Sequence, residues 1–492
     1  MEELRTRQPI SWLDDVDASG VVINPHHELY GKGLAGSTLY LPCASGSTVG
    51  SDRIVNLAVR GFGPRKIVLE RVDPITIWGG ILGKIDVEVR GMVKRRIDRG
   101  KLERLGIETE IVDFLVRAGE LLGTEEFIPA DHVQIAGVSY KTITETGLEL
   151  RRYLGGKFRF RAAHVTINPA GMDLAGWREL GIPEGFARKQ EEVIEIYLKM
   201  GAIPTVTCTP YLIGSMPPPF TDSFLSESSV VSYANSVLGV RTNRESGLST
   251  LLYAIAGYGP RYGLHLPENR QPRVEVAVSC PLRGTVDYSL LGYRLGEVAK
   301  GRIPYITGIT SRPTLEELKV LSAAGAASGS VDLYHIQGVT PEASCGLVTL
   351  DRIEEKVVLT RAELDGLKQQ LNTGKVAELD LVTFGCPHAS LEEVKEVALL
   401  LRGKRVKEGV KLWVCTSRAI KELSARLGYV DLIEAAGGHV VADTCMVVSP
   451  IEEMGHTTTA TNSGKAAKYL PRFCRQKVVF DSAEVIIAQV VT

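Results

Sequence analysis

From about residue 89 to the end, the chain alternates short apolar runs closed by Gly or Pro with longer stretches of helical periodicity. Runs at 203–208, 274–278, 330–336, 379–384, 411–414 and 439–442 read as strands, and residues 108–122, 142–153, 184–200, 314–326, 390–402 and 417–427 as helices. In the first of these helices Ile111, Phe114, Leu115, Ala118 and Leu122 make one apolar stripe. Strands joined through helices pair in parallel, so the pattern predicts an α/β fold of parallel sheets in several layers. Ligands of such sheets collect beyond the carboxyl ends of the strands.

The first 88 residues read differently. They are Gly-rich, with strands at 37–42 and 66–69 around the loop 43–51, and predict a small β-rich domain. A charged helical stretch at 89–104 then opens a large region, so the expected units are 1–88 and 89–492. Over 492 residues, 57 basic side chains face 58 acidic ones, a net charge of −1 that removes bulk attraction to a polyanion. The short basic clusters 94–96 and 402–407 read as solvated helix faces, and no nucleic acid partner is expected. No run approaches the 18 or so apolar residues of a membrane span, and the start lacks an apolar leader core, which predicts a cytoplasmic protein without a membrane partner.

Eight cysteines are too sparse for a disulfide framework and contain no C-x-x-C pair. Three of them, Cys208, Cys386 and Cys445, each follow a strand-like run and sit among small or polar residues. Three thiolates arriving from separate strands make a soft-metal or iron–sulfur site; the alternative is that each is a small buried apolar residue. Cys43, Cys280, Cys345, Cys415 and Cys474 lack that setting and read as structural.

Other candidates are local. Asn462-Ser463-Gly464-Lys465 opens a helical stretch at 465–470, a place for an anion or simply a capped helix with an exposed Lys. Residues 136–140 and Asn168-Pro169 follow strands and also suit plain turn chemistry. The 46–51 loop has no P-loop signature and no dinucleotide fingerprint accompanies it, so Ser47 is either an active hydroxyl or part of a hairpin loop. His26, His27, His335 and His388 form no zinc motif.

Taken in order, several strings resemble one family. These are Gly137-Val138-Ser139-Tyr140-Lys141-Thr142, Thr166-Ile167-Asn168-Pro169-Ala170-Gly171-Met172-Asp173, Thr207-Cys208-Thr209-Pro210-Tyr211, Glu227-Ser228-Ser229, Tyr233-Ala234-Asn235-Ser236, Thr242-Asn243-Arg244-Glu245, Gly385-Cys386-Pro387-His388, Asp443-Thr444-Cys445-Met446 and Thr461-Asn462-Ser463. They resemble the large part of aconitase X hydro-lyases. Residues 21–25, 27–32 and Gly46-Ser47-Thr48-Val49-Gly50-Ser51 are similar to that family's small swivelling part, here fused ahead of the large one and shortened, without an initial strand. Cys43-Ala44-Ser45 replaces the pattern usual before Gly-Ser.

The resemblance implies Cys208, Cys386 and Cys445 as ligands of an iron–sulfur cluster, 4Fe–4S in preference to 2Fe–2S. It implies Ser47 as proton acceptor, and Gly137, Val138, Ser139, Asn168, Pro169, Asn235, Ser236 and Lys465 as contacts to a small anionic hydroxy acid. Family members dehydrate mevalonate 5-phosphate or cis-3-hydroxy-L-proline; the 46–51 loop and the 242–245 string look nearer to the first branch. Fusion removes the need for a separate small subunit. The reading from another class is a non-catalytic cluster-binding relative whose small domain cannot bring Ser47 to the site.

Overall fold

The computed structural model describes residues 2–92 and 95–492. Among the described residues are four wholly parallel sheets and one two-stranded antiparallel ribbon, Phe127–Pro129 with Tyr258–Pro260. The N-terminal sheet runs Glu3–Arg5, Thr38–Leu41, Lys66–Leu69, Asp86–Val89, every neighbour parallel. Its crossovers are the helices Gly50–Val59 and Pro74–Leu82, so this small unit is itself α/β and the 46–51 loop leads from strand to helix, not round a hairpin. Parallel pairing of Thr38–Leu41 with Lys66–Leu69 excludes a hairpin, because the chain must cross over between them. The initial strand expected to be missing is present as Glu3–Arg5, and the fourth strand carries the unit past residue 88.

Of the described residues in the charged stretch at 89–104, Arg99–Arg104 are helical, and Asp98 caps their first turn. Of the basic cluster 94–96, Lys94 lies outside the described residues, and Arg95 is exposed, 3.4 Å from Glu125. The cluster at 402–407 follows the end of the helix Leu391–Leu401 and is not a helix face: it turns at 402–403 and then runs to an antiparallel bridge between Val406 and Val491.

The large region begins with a three-stranded sheet, His164–Ile167, His132–Ile135, Phe224–Leu225. A four-stranded sheet follows, ordered His335–Ile336, Pro304–Thr307, Val274–Val278, Glu355–Leu359. The last is five-stranded: His439–Ala442, Lys411–Thr416, Leu381–Ala389, Thr458–Thr461, Lys477–Phe480. Its central strand Leu381–Ala389 is buried at every position, as a parallel strand covered on both faces must be. Helix starts follow side-chain chemistry: Thr314 and Ser390 form capping boxes with Glu317 and Glu393, and Ser417 and Ser463 cap the helices after them. The run at 203–208 forms no ladder strand and makes only a single bridge, Ile203 with Thr166, because Pro204 and the left-handed Val206 break it.

One apolar core joins the small unit to the first part of the large region, with Ile54, Leu57 and Trp78 in the same cluster as Ile143, Leu148 and Tyr253. A second core lies between the four- and five-stranded sheets and contains Leu290, Leu321, Leu470 and Phe480 together with Cys386 and Cys445. The small unit and the cysteine-bearing sheet thus approach one place from two cores.

Candidate active site

A cavity of about 70 Å³ lies where they meet, and it gathers most of the residues singled out above. Cys208, Cys386, Cys445, Ser47, Gly137, Val138, Ser139, Asn168, Pro169 and Lys465 all line it. Ser47, Gly137, Asn168, Cys445 and Lys465 arrive on the carboxyl side of a strand. Cys386 sits where the central strand bulges, Cys445 three residues beyond His439–Ala442, and Cys208 after the bridge at Ile203.

His388 binds the three thiol loops together. Its backbone N–H donates to Cys208 Sγ at 3.3 Å, Nδ1 meets the Thr207 hydroxyl at 2.9 Å, and Nε2 meets the Thr444 carbonyl at 3.0 Å. Burial pushes this imidazole down to about 3, so it is neutral and structural. Burial likewise pushes the Cys208 thiol up to about 12, with the Glu227 carboxylate adding to it. Cys386 and Cys445 share a thiol hydrogen bond. With Cys386 donating, Cys445 is held down at about 7 against its burial, aided by N–H groups of Val448 and Val447. Gly385 has φ +93°, and a side chain there would stand 2.0 Å from the Cys415 carbonyl, so only glycine lets Cys386 reach the cavity. Among the described residues no three His, Cys, Asp or Glu side chains are grouped to hold a single metal ion.

The opposite wall is held by Gln190, which was not foreseen. Its side chain accepts from Tyr140 N (2.9 Å) and Gly171 N (2.8 Å) and donates to Val138 O (2.9 Å), fixing the 137–140 and 168–171 turns together. Ser139 donates to Val448 O at 2.8 Å, and Ala170 N to Asp443 O at 2.8 Å, so both turns are also tied to the Cys445 loop.

Glu227 was also missed as a site residue. It lines the cavity, caps the helix Ser228–Ser236 and pairs with the Lys465 ammonium, while Asn168 Nδ2 donates to its other oxygen. Burial raises the Glu227 carboxyl, but Lys465, Asn168 and Ser229 outweigh it and keep it ionised. Lys465, 3.3 Å from the Ser229 hydroxyl as well, is therefore a partly neutralised cation and not a free one. Asn168 Oδ1 is buried with no partner among the described residues, an acceptor left for a ligand.

Asn235 and Ser236 do not line the cavity. The helix that starts beside it carries Asn235 about 12 Å away at 1.5 Å per residue. There Asn235 bonds Thr242, Asp332 and Arg270, and Ser236 accepts from Tyr334 N at 2.9 Å. Both pack this helix on the next part of the chain.

Ser47 comes from the small unit, on the turn before the helix Gly50–Val59. Arg244 donates to Gly46 O at 3.1 Å and Thr48 donates its hydroxyl to Ser226 O, gripping the turn on both sides of Ser47. The Ser47 hydroxyl itself has no hydrogen-bond partner among the described residues, and it faces the cavity.

Family models for the aconitase X swivel, first, second and third domains match residues 2–105, 100–268, 272–369 and 379–492. A phosphomevalonate dehydratase large subunit from Methanothermobacter thermautotrophicus is 45% identical over 75% of this chain and 91% of its own. The cis-3-hydroxy-L-proline dehydratase of Pseudomonas aeruginosa is 31% identical over 96% of this chain and 91% of its own. A phosphomevalonate dehydratase small subunit from Methanothrix thermoacetophila is 45% identical over 17% of this chain and 61% of its own. The crystal structure of Thermococcus kodakaraensis aconitase X (holo-form) superposes with a TM-score of 0.71 at 40% identity, covering 78% of this chain and 95% of that one. The chain belongs to the aconitase X family and, like its relatives named as dehydratases, is a hydro-lyase.

Proposed function

We propose that the chain dehydrates mevalonate 5-phosphate, with an iron–sulfur cluster held by Cys208, Cys386 and Cys445 and with Ser47 as the proton acceptor. The observation that carries this reading is that one cavity contains all three thiols and the unpartnered Ser47 of the small domain. A non-catalytic relative, with Ser47 withheld, fits that geometry poorly. The donor set suits a cluster: three cysteines come from separate loops, and the hydrogen bond from Cys386 holds the Cys445 thiol below its usual range. Bound there, a cluster with three protein ligands supplies Lewis acidity toward the leaving hydroxyl.

The rest falls to the chain's own groups. Ser47, deprotonated to the alkoxide, takes the proton from the carbon next to the C–O bond and becomes the neutral hydroxyl, and the N terminus of Gly50–Val59 stabilises the alkoxide before the transfer. Asn168 Oδ1 accepts a hydrogen bond from a substrate hydroxyl. The Lys465–Glu227 pair orients the anionic end with little net charge, and the apolar side chains Leu13, Val49, Val447 and Phe473 exclude water. The 45% identities to both phosphomevalonate dehydratase subunits favour that substrate.

The second reading, cis-3-hydroxy-L-proline, is favoured by the single-chain match over 96% of this sequence. Anaerobic incubation of the purified chain alone with each compound separates them. Turnover of mevalonate 5-phosphate without added small subunit is expected; turnover of cis-3-hydroxy-L-proline alone reverses the assignment.

A further inference from the structure

Behind the wall that carries Ser47 lies a larger cleft of about 520 Å³, and it shares no lining residue with the cysteine cavity. Two elements divide them. The helix Gly464–Phe473 turns Lys465, Tyr469 and Phe473 toward the thiols and Lys468 and Arg472 toward the cleft. In the same way the small domain's turn shows residues 47–49 to the cavity and residues 42–46 to the cleft.

The cleft is unbalanced in charge. Arg7, Arg71, Lys300, Lys468 and Arg472 face only two carboxylates, Asp14 and Asp15. Both acids are already engaged. Asp15 accepts from Ser11 N at 2.8 Å and Asn24 Nδ2 at 2.9 Å and pairs with Arg472 at 3.2 Å; Asp14 accepts from the Ser11 hydroxyl and lies 3.4 Å from Arg472.

The other four cations form no ion pair among the described residues. Arg71 is fixed across the junction, donating to the Lys300 carbonyl at 3.5 Å and to Cys43 Sγ at 3.1 Å. Burial pushes the Lys468 ammonium down and Arg472 adds to this, with Asp14, Asp15 and Glu297 opposing it. Four cations without an ion-pair partner among the described residues line one concavity from separate segments, and a polyoxyanion can meet them together. Guanidinium and ammonium groups together match a phosphate.

We propose that this cleft is a second anion site, for a small phosphate-bearing ligand, whose occupant ties the small domain (Arg7, Arg71) to the rest of the chain (Lys300, Lys468). The site stands apart from the substrate reading above, since its ligand touches none of the cysteine cavity.

Titration of the full chain with inorganic pyrophosphate, and in parallel with glycerol 3-phosphate, at constant ionic strength is the test, read as Tm. A saturable rise with either probe is expected, and the stronger probe tells a free anion from a phosphate-tailed molecule. The double variant Arg71→Ser/Lys300→Ser, at exposed positions that leave folding intact, weakens binding at least tenfold, whereas Lys465→Gln retains it. Three results overturn the proposal: a Tm that follows ionic strength alone, a double variant that binds as the parent does, or loss of binding in Lys465→Gln.

Discussion

Replacing Arg151 by Met isolates what sets the small domain against the site. Arg151 is completely buried on the helix Tyr140–Lys157 and pairs with Asp52, whose side chain is 1% exposed, on the small-domain helix Gly50–Val59. The same guanidinium donates to the Tyr197 hydroxyl at 3.1 Å, the Gly147 carbonyl at 3.2 Å and the Gly137 carbonyl at 3.4 Å. Asp52 lies on the helix that follows Ser47, and Gly137 belongs to the opposite wall of the cavity, so one side chain links the two. Beside them Asn56 donates to the hydroxyls of Thr144 (3.1 Å) and Thr146 (3.0 Å), and Thr144 is held at φ 59°, an unfavourable conformation for a β-branched residue.

Met at 151 leaves the Asp52 carboxylate buried with no counter-charge, and one of its oxygens already lacks a partner. Breaking a buried pair by removing one member costs about 3–5 kcal/mol, or roughly two to three and a half orders of magnitude in the docked-to-undocked ratio. Hydrogen exchange of residues 44–58 measures it directly. Exchange there rises at least a hundredfold in Arg151→Met, and kcat falls with it. The double variant Asp52→Leu/Arg151→Met recovers most of the protection, because an apolar pair of similar volume replaces a buried ion pair at little cost. Unchanged exchange in the single variant refutes the linkage. A double variant as loose as the single one shows that lost packing, not the orphaned charge, undocks the domain.

Three further outcomes are open to measurement. Cys386→Ser loses the brown absorbance and the activity together; an active, colourless variant refutes the cluster assignment. Gly385→Ala, forced to φ +93° with its side chain 2.0 Å from the Cys415 carbonyl, loses at least about 1–3 kcal/mol of stability, and an unchanged urea midpoint refutes the close approach. Glu245, buried and accepting from Tyr262 (2.8 Å) and Ser249 (2.9 Å), is pushed by burial from 4.5 up to about 7. Its folded form therefore keeps a proton that the unfolded chain gives up, and stability falls as pH rises through that window, by on the order of 3 kcal/mol. Glu245→Gln removes this component, so urea unfolding at pH 5 and pH 8 separates the two proteins; equal slopes refute it.

How much of this was legible in the sequence depended on how locally each feature is encoded. The helix Glu184–Met200 and the strand His439–Ala442 coincide with their predicted bounds, because one has a clear apolar stripe and the other an apolar run closed by Gly438 and Asp443. The helices Ser228–Ser236 and Gly247–Ala256 were not read at all. They are buried on every side, so they have no stripe; Ser229, Ser236 and Ser249 bond capping and neighbouring groups instead of solvent, while the Ser232 hydroxyl is buried with no partner among the described residues. In the small domain, Asp73 and Pro74 announce a helix start that the reading of a β-rich unit passed over.

The site divides along the same line. Strand-end cysteines are visible in a sequence, but their convergence is tertiary, and it was the ordered resemblance that predicted it. That resemblance could not say which residue of a matching string faces the cavity: in the string Tyr233-Ala234-Asn235-Ser236 helical rise carries the polar pair away, while Glu227 at the start of the same helix stays. Glu227 sits among serines and looks like a surface acid until Lys465, far along the chain, is brought beside it. The groups that make the cavity one object, Gln190, His388 and Arg151, share this property. Each is an ordinary polar residue in its own segment, and each acts by bonding two or three segments distant in sequence. A buried polar residue costs free energy unless all its partners are present, so its place is set by the finished fold and not by local pattern. Positioning residues of this kind are therefore better sought among fully bonded buried polar side chains that touch two site loops, whether inside a motif, as His388 is, or outside one, as Gln190 and Arg151 are.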